Sequence, residues 1–253
     1  APPASPASTA PVSNEWQQRQ ERQDNGVPMR HIVGVDLGGT NIAVGVVPED
    51  GGAMLGQLVR DTPVAAGADA VVDEIVALIR ESVAAATRAR PGIDVAGVGI
   101  GAPGPLNTAQ GIVRLAPNLG WRDMPLRDRV SAAAGLPATL DNDANCATLG
   151  EWWLGAARGA RIVVGITIGT GVGGGVVIDG RLFHGASDVA GEIGHTSIDS
   201  TGRRCKCGNY GCLEAYTSGP AIAARAMEEV ESGEPSALRE MANGRLQNIT
   251  AQL

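Results

Sequence analysis

An α/β fold in two lobes, each opening on a β-hairpin with a glycine-rich turn, is what this sequence predicts. Three observations carry that reading. Thirty-six glycines in 253 residues, with 43% hydrophobic but only 3% aromatic residues, suit a core of Val, Ile, Leu and Ala joined by tight turns. Short apolar strand patterns alternate with helical ones, as α/β layering requires. The plan strand, glycine turn, strand also occurs twice, over 31–47 and over 161–178.

The elements follow in order. His31–Asp36 is an apolar strand, Leu37–Asn41 a glycine turn and Ile42–Val47 a second strand; Leu55–Asp61 reads as a third. Over Ala70–Arg90, Val71, Ile75, Leu78, Ile79 and Val83 recur at helical spacing. Asp94–Ile100 is a buried strand, and Pro125–Ala134 a helix with Gly135 placed to end it. Pro137–Asp141 is another strand, and Asn142 or Asp143 can N-cap a helix running to Ala157, with Cys146 inside it as a core residue. This βββαβαβα order is half of a two-domain fold with an active cleft between similar halves. The second half restarts with Arg161–Ile168, a turn over Gly169–Gly174, Gly175–Ile178 and Arg181–Phe183. Gly34 aligns with Gly165, Leu37 with Ile168 and Gly38 with Gly169. Helices over Pro220–Val230 and Ser236–Leu253 follow a cysteine-rich segment, and the closing strand–helix–strand–helix is absent. The expected division is a Pro/Ser/Ala-rich disordered tail over 1–30, a first lobe over 31–145 and an incomplete second lobe over 146–253.

Composition narrows the function. Twenty-seven acidic against 20 basic residues give a net charge of −7, which argues against a nucleic-acid surface. No apolar run reaches the ~20 residues that span a bilayer. The tail lacks the charged start and apolar centre of a secretory signal, so a cytoplasmic protein with reduced thiols is expected.

Between Gly191 and Glu214, four potential metal ligands, His195, Cys205, Cys207 and Cys212, fall within eighteen residues, flanked by Glu192 and Glu214. One imidazole and three thiolates complete a tetrahedral zinc shell with no place for water, which means a structural ion beside the chemistry. The alternatives are a redox pair or half of a disulfide framework. Four cysteines in the chain, three of them crowded here, are wrong for a disulfide-stapled fold.

The glycine turns offer consecutive backbone amides for close approach of phosphate. A Walker-type loop is excluded, because the only lysine is Lys206, between two cysteines. Phosphate would be held by amides and Mg²⁺ instead. Asp36, directly before Gly38, Gly39 and Thr40, is placed to bind Mg²⁺ through water, and Gly169, Thr170 and Gly171 can close on phosphate from the other lobe. In Leu-Asp-Asn-Asp-Ala-Asn (140–145), Asp143 at a strand–helix junction can take a proton from an attacking hydroxyl; the alternative is a plain helix cap. Asp141 reads as structural. Asn118, Gly101–Gly104, Glu192, His195 and Glu214 supply the polar groups a sugar needs, and if one nitrogen of His195 ligates zinc the other can donate to a sugar oxygen.

These motifs, Asp-Leu-Gly-Gly-Thr-Asn (36–41), Asn-Asp-Ala-Asn (142–145), Gly-Thr-Gly-Val-Gly-Gly-Gly (169–175), Gly-Glu-Ile-Gly-His (191–195) and Cys-Lys-Cys-Gly-Asn-Tyr-Gly-Cys-Leu-Glu (205–214), resemble those of the ROK family of sugar kinases. The resemblance runs from about residue 31 to the C-terminus, and the cysteine segment is its most specific part. It implies a two-lobed actin-like, ribonuclease H-like ATPase fold of the actin/hexokinase superfamily. It implies Asp143 as base for a sugar 6-hydroxyl, and sugar contacts from Asn118, Asn142, Asp143, Glu192, His195 and Glu214. Zinc would lie at His195, Cys205, Cys207 and Cys212, and ATP phosphates over Gly38–Thr40 and Gly169–Gly171. The activity implied is that of an ATP-dependent glucokinase, with mannose, fructose, allose or N-acetylmannosamine as other acceptors. A polyphosphate donor and a non-catalytic sugar sensor are the competing readings; the first 30 residues are too few and too Pro-rich for the repressors' DNA-binding motif. A homodimer is implied as well. Family kinases continue past the position of Leu253 with an adenosine motif and closing helices, so weak ATP binding is expected of a chain ending there.

Overall fold

The computed structural model describes residues 29–252, which divide into two compact units, one ending at Asp143 and the other beginning at Ala144. The expected tail therefore lies, up to residue 28, outside the described residues.

In the first unit a five-stranded sheet has the order β3-β2-β1-β4-β8. Its strands are β1 (Arg30–Leu37), β2 (Asn41–Pro48), β3 (Leu55–Asp61), β4 (Asp94–Ala102) and β8 (Ala138–Asn142). β1, β4 and β8 run parallel, and β2 and β3 are antiparallel additions at one edge. Alternation in β1 buries Val33, Val35 and Leu37 on one face. Helix α1 (Ala68–Ala89) lays Val71, Ile75, Leu78 and Ile79 into the same core as Val44, Val46, Val98 and Ile100. Its approach to β3 is close: a Cβ at Gly56 would stand 2.3 Å from the carbonyl of Ser82, whose hydroxyl donates to Gly56 O at 2.7 Å. Helix α2 (Leu126–Ala134) ends at Gly135 in the left-handed conformation, as its position in the sequence predicts.

Between β4 and α2 lies a small antiparallel sheet that the sequence reading passed over: β5 (Leu106–Asn107), β6 (Ile112–Ala116) and β7 (Trp121–Met124). Two of these strands are shorter than any readable alternation. A single helical turn, Pro117–Leu119, joins β6 to β7 and is closed by Gly120 at φ 68°.

The second unit holds a three-stranded sheet, β11-β10-β9, of β9 (Ile162–Ile168), β10 (Val172–Ile178) and β11 (Arg181–Leu182). One face of β9 leaves Ile162, Val164, Ile166 and Ile168 exposed. The other meets helix α3 (Asp143–Trp153), whose Thr148 lies on Gly165 and Gly175. Here the expected turn over Gly169–Gly174 is corrected, since β10 already begins at Val172. Gly173, Gly174 and Gly175 are strand residues whose missing side chains let neighbours approach. A Cβ on them would come within 2.8 Å of Ala144 Cβ, 2.6 Å of Gly191 O and 2.6 Å of Thr148 Oγ1 respectively.

Helices α4 (Glu214–Thr217), α5 (Gly219–Glu231) and α6 (Leu238–Met241) follow the cysteine segment. Ser218 caps α5 through a bond from Ala221 N, with Pro220 in the first turn. The single helix expected over Ser236–Leu253 does not form. Asn243 (φ 52°) and Gly244 (φ 71°) turn the chain left-handed and fold it back, so that Ala242 and Ile249 pack on Val230. Helix α3 stops at Trp153 rather than Ala157, where the Glu151 carboxylate accepts from Ala156 N, and Cys146 on it is exposed rather than in the core.

The glycine at 165 gives a test of this packing. An added Cβ would meet Thr148 Oγ1 at 2.2 Å, so Gly165→Ala should cost about 1–3 kcal/mol in urea unfolding. Gly165→Ala combined with Thr148→Ala should recover most of that loss; equal destabilisation of the single and double variants would show that helix and strand are not in contact there.

Candidate functional site

In the first unit the ladder sets the site. Register places Asp36 beside Gly101 and Gly101 beside Asp141, in one row across β1, β4 and β8. Asn142 and Asp143 follow immediately, so both carboxylates singled out in the sequence, Asp36 and Asp143, stand at the carboxyl ends of the parallel strands of one sheet. That edge is where open α/β sheets bind ligands. The Gly38–Thr40 turn is braced from β3's end. Thr62 Oγ1 donates to Gly38 O and Thr62 N to Thr40 O, both at 2.7 Å, while Gly38 N donates to Asn41 O at 2.8 Å. Thr62 escaped the sequence reading, because nothing in its neighbours marks it. Gly39 lies against Asn118: a Cβ at Gly39 would sit 3.0 Å from that of Asn118. The small sheet thus delivers the sugar candidate Asn118 to the phosphate candidate turn. Asp36 keeps solvent contact, yet desolvation around its carboxyl raises its pKa above the ordinary aspartate value. A cation there would reverse that penalty.

In the second unit, His195 ends a single helical turn over Ile193–His195 whose Gly194 is buried against β10; a Cβ there would lie 2.0 Å from Val172 O. Cys205 opens a tight turn, with Gly208 N donating to Cys205 O at 3.0 Å and Cys205 N to Asn209 O at 2.8 Å. Gly208 and Gly211 take positive φ, and a side chain at Gly211 would run into Asp199. These turns bring one ligand atom each from His195, Cys205, Cys207 and Cys212 to within 4.8 Å of one another. Cys207 and Cys212 Sγ lie 3.7 Å apart, and Cys205 Sγ lies 3.8 Å from His195 Nδ1. With Zn–S about 2.3 Å and Zn–N about 2.0–2.1 Å, tetrahedral edges are ~3.8 Å for S···S and ~3.6 Å for S···N. The donor set and its spacing fit zinc. Burial pushes the Cys205 thiol up to about 12 and raises that of Cys212, whereas the hydrogen bond from the Asn209 amide holds Cys207 down. Buried thiols of this kind give up their protons to a metal, so binding releases protons.

His195 turns Nδ1 to the thiols and Nε2 toward Glu192, 3.8 Å from its Oε2. Glu214 joins two features. Its Oε2 accepts from Val172 N at 3.0 Å, at the exit of the Gly169–Gly171 turn, and its Oε1 lies 3.6 Å from Cys205 Sγ. Gly219 N, at the start of α5, donates to Gly169 O at 2.8 Å. The second unit therefore gathers Gly169, Thr170, Gly171, Glu192, His195, Glu214 and the thiols, and the first unit gathers Asp36, Gly38, Gly39, Thr40, Asn118, Asn142 and Asp143.

A family model described as the ROK family matches residues 32–252. The chain belongs to the ROK family. It is 42% identical over 197 residues to a glucokinase of Thermotoga maritima, covering 78% of this chain and 60% of that protein. It is 36% identical over 202 residues to a xylose repressor of Caldicellulosiruptor bescii, covering 80% of this chain and 50% of the repressor. A solved ROK family glucokinase from Streptomyces griseus, in complex with glucose and AMPPNP, superposes with a TM-score of 0.73 at 40% identity, over 88% of this chain and 69% of that one. The α/β arrangement is the actin-like one of these ROK structures. The chain spans between 57% and 63% of the curated glucokinases it matches.

Two outcomes test this chemistry. Purified protein should carry one zinc per chain by elemental analysis, and chelation should lower Tm and speed amide exchange over 169–172; a zinc-free sample of unchanged Tm would overturn the metal assignment. For Asp36, a raised pKa means the folded state holds the proton more tightly, so its contribution to stability is present at acid pH and lost as pH rises through the folded value. Without divalent cation, Asp36→Asn should gain stability relative to the parent as pH rises through the carboxylate range; parallel stability curves would refute the desolvation.

Proposed function

We propose that this chain belongs to an ATP-dependent hexokinase-type phosphotransferase that phosphorylates glucose at the 6-hydroxyl. The observation that carries this is Glu214, which ties the metal loop with its sugar candidates to the second glycine turn. A loop built to hold polar side chains beside a phosphate-accepting turn suits transfer between a sugar and a phosphate donor. The likeness to a glucokinase solved with glucose and AMPPNP supports both substrates.

In this reading Asp143 accepts the proton of the sugar hydroxyl, and Asn118 and Asn142 orient the sugar. Glu192 and Glu214 accept hydrogen bonds from sugar hydroxyls, and His195 donates through Nε2 once Nδ1 is a metal ligand. Amides of Gly38–Thr40 and Gly169–Gly171 hold phosphate oxygens. Asp36 would hold Mg²⁺, which when bound neutralises phosphate charge; most of the acceleration comes from positioning and charge compensation. Zinc would be structural, held by His195, Cys205, Cys207 and Cys212.

The likeness to a xylose repressor favours one second reading, a sugar-binding member without catalysis. A coupled assay with Mg-ATP across a hexose panel, on the gene product and on its Asp143→Asn variant, separates the two. Glucose should be the preferred acceptor, and Asp143→Asn should lower kcat about 10²–10⁴-fold with glucose binding retained. Turnover indifferent to this change would remove Asp143 as base, and sugar binding without any turnover would favour the sensor.

A further inference from the structure

The second unit contains a pocket of about 390 Å³ that none of the assigned roles uses as a whole. Its lining includes Thr170 and Glu214, the basic residues Arg203, Arg204 and Lys206 beside Cys205, and the first turns of α5 with Ser218. We propose that this pocket binds an oligophosphate chain, gripped by Lys206 and Arg204 together with Thr170. The proposal rests on the phosphate-handling reading of Gly169–Gly171 and extends it along the donor.

Two features favour an anion here. The basic residues differ in their commitments. Arg203 is paired through both guanidinium nitrogens with Glu228, whereas Arg204 and Lys206 make no ion pair among the described residues. Two unspent cations therefore line one pocket in a chain whose net charge is −7. The pocket also includes Thr170 of the turn where phosphate is expected, so one lining joins that turn to the two cations. The first amides of α5 are already used: Gly219 N donates to Gly169 O and Ala221 N to Ser218 Oγ, while Pro220 has none. Recognition of the outer phosphates thus falls to the side chains, which makes Lys206 and Arg204 decisive.

The competing explanation is local. Zinc with three thiolates and one neutral imidazole carries a net charge of about −1, and Lys206, between two of the ligands, would offset it. That account predicts that losing the lysine weakens zinc; the present one predicts that it weakens phosphate binding with zinc retained.

The chain's single lysine makes the test direct, since apart from the N-terminal amine only Lys206 reacts with an amine-selective reagent. Labelling of the zinc-loaded protein, read at the Lys206 peptide by mass spectrometry, should slow at least about fivefold with Mg-ATP, and hexose alone should not slow it. Protection by tripolyphosphate as well as ATP assigns the grip to the phosphates themselves; protection by ATP alone assigns it to a nucleoside-linked tail. Lys206→Gln should weaken Mg-ATP binding about tenfold by calorimetry, as loss of one charge-assisted hydrogen bond does, with zinc content unchanged. Normal ATP affinity in a variant that loses zinc would overturn the proposal. So would an unprotected lysine in protein that binds Mg-ATP, which would leave the glycine-turn reading standing. Failure of Mg-ATP and tripolyphosphate to bind at all would remove both.

Discussion

The backbone amide of Val172 donates to a carboxylate that arrives from forty-two residues further along the chain. Without Glu214 the exit of the second glycine turn would lack that partner, and the turn would lose its link to the metal loop. The other oxygen of the same carboxylate faces Cys205, so a cation held by the thiols would also fix the strut. Gly194 pressed on Val172 and Gly219 bonded to Gly169 hold the turn from two further sides. Order in the cysteine loop and order in the second glycine turn are therefore one property of the second unit.

The two hairpins solve the same problem with different braces. Gly34 pairs with Gly45, and Gly165 with Gly175, each near the middle of its ladder. The last paired residues are Leu37 and Ile42 in the first and Ile168 and Val172 in the second, so the first turn is longer by one residue. The longer turn is tied down by Thr62 and packed by Asn118; the shorter one is tied down by Glu214. In both, a residue from outside the turn adds hydrogen bonds to those the turn makes within itself.

At the carboxyl edge of the first sheet, register rather than sequence distance sets the geometry. Asp36 and Asp141 are separated by more than a hundred residues yet share a row through Gly101. A one-residue slip in either pairing would carry one carboxylate to the opposite face. The buried alternation of Val33, Val35 and Leu37 prevents that slip, so the core fixes where the site's charges stand.

The sequence by itself determined what depends on local spacing. The clustering of His195, Cys205, Cys207 and Cys212 was legible because they lie within one short loop, where tight turns can bring them together. Helix α1, β3 and the end of α2 at Gly135 were legible because their periodicity and capping are local. The tertiary structure alone decided matters that depend on what lies opposite. Glycines 173 and 174 read as a turn and are strand residues, because α3 covers one face and Gly191 approaches the other. The last helical pattern breaks at Asn243 and Gly244, where folding back buries Ile249. Thr62, the inward reach of Glu214 and the joining of Lys206 and Arg204 to one pocket are contacts between distant segments, and no residue's immediate neighbours encode such a contact.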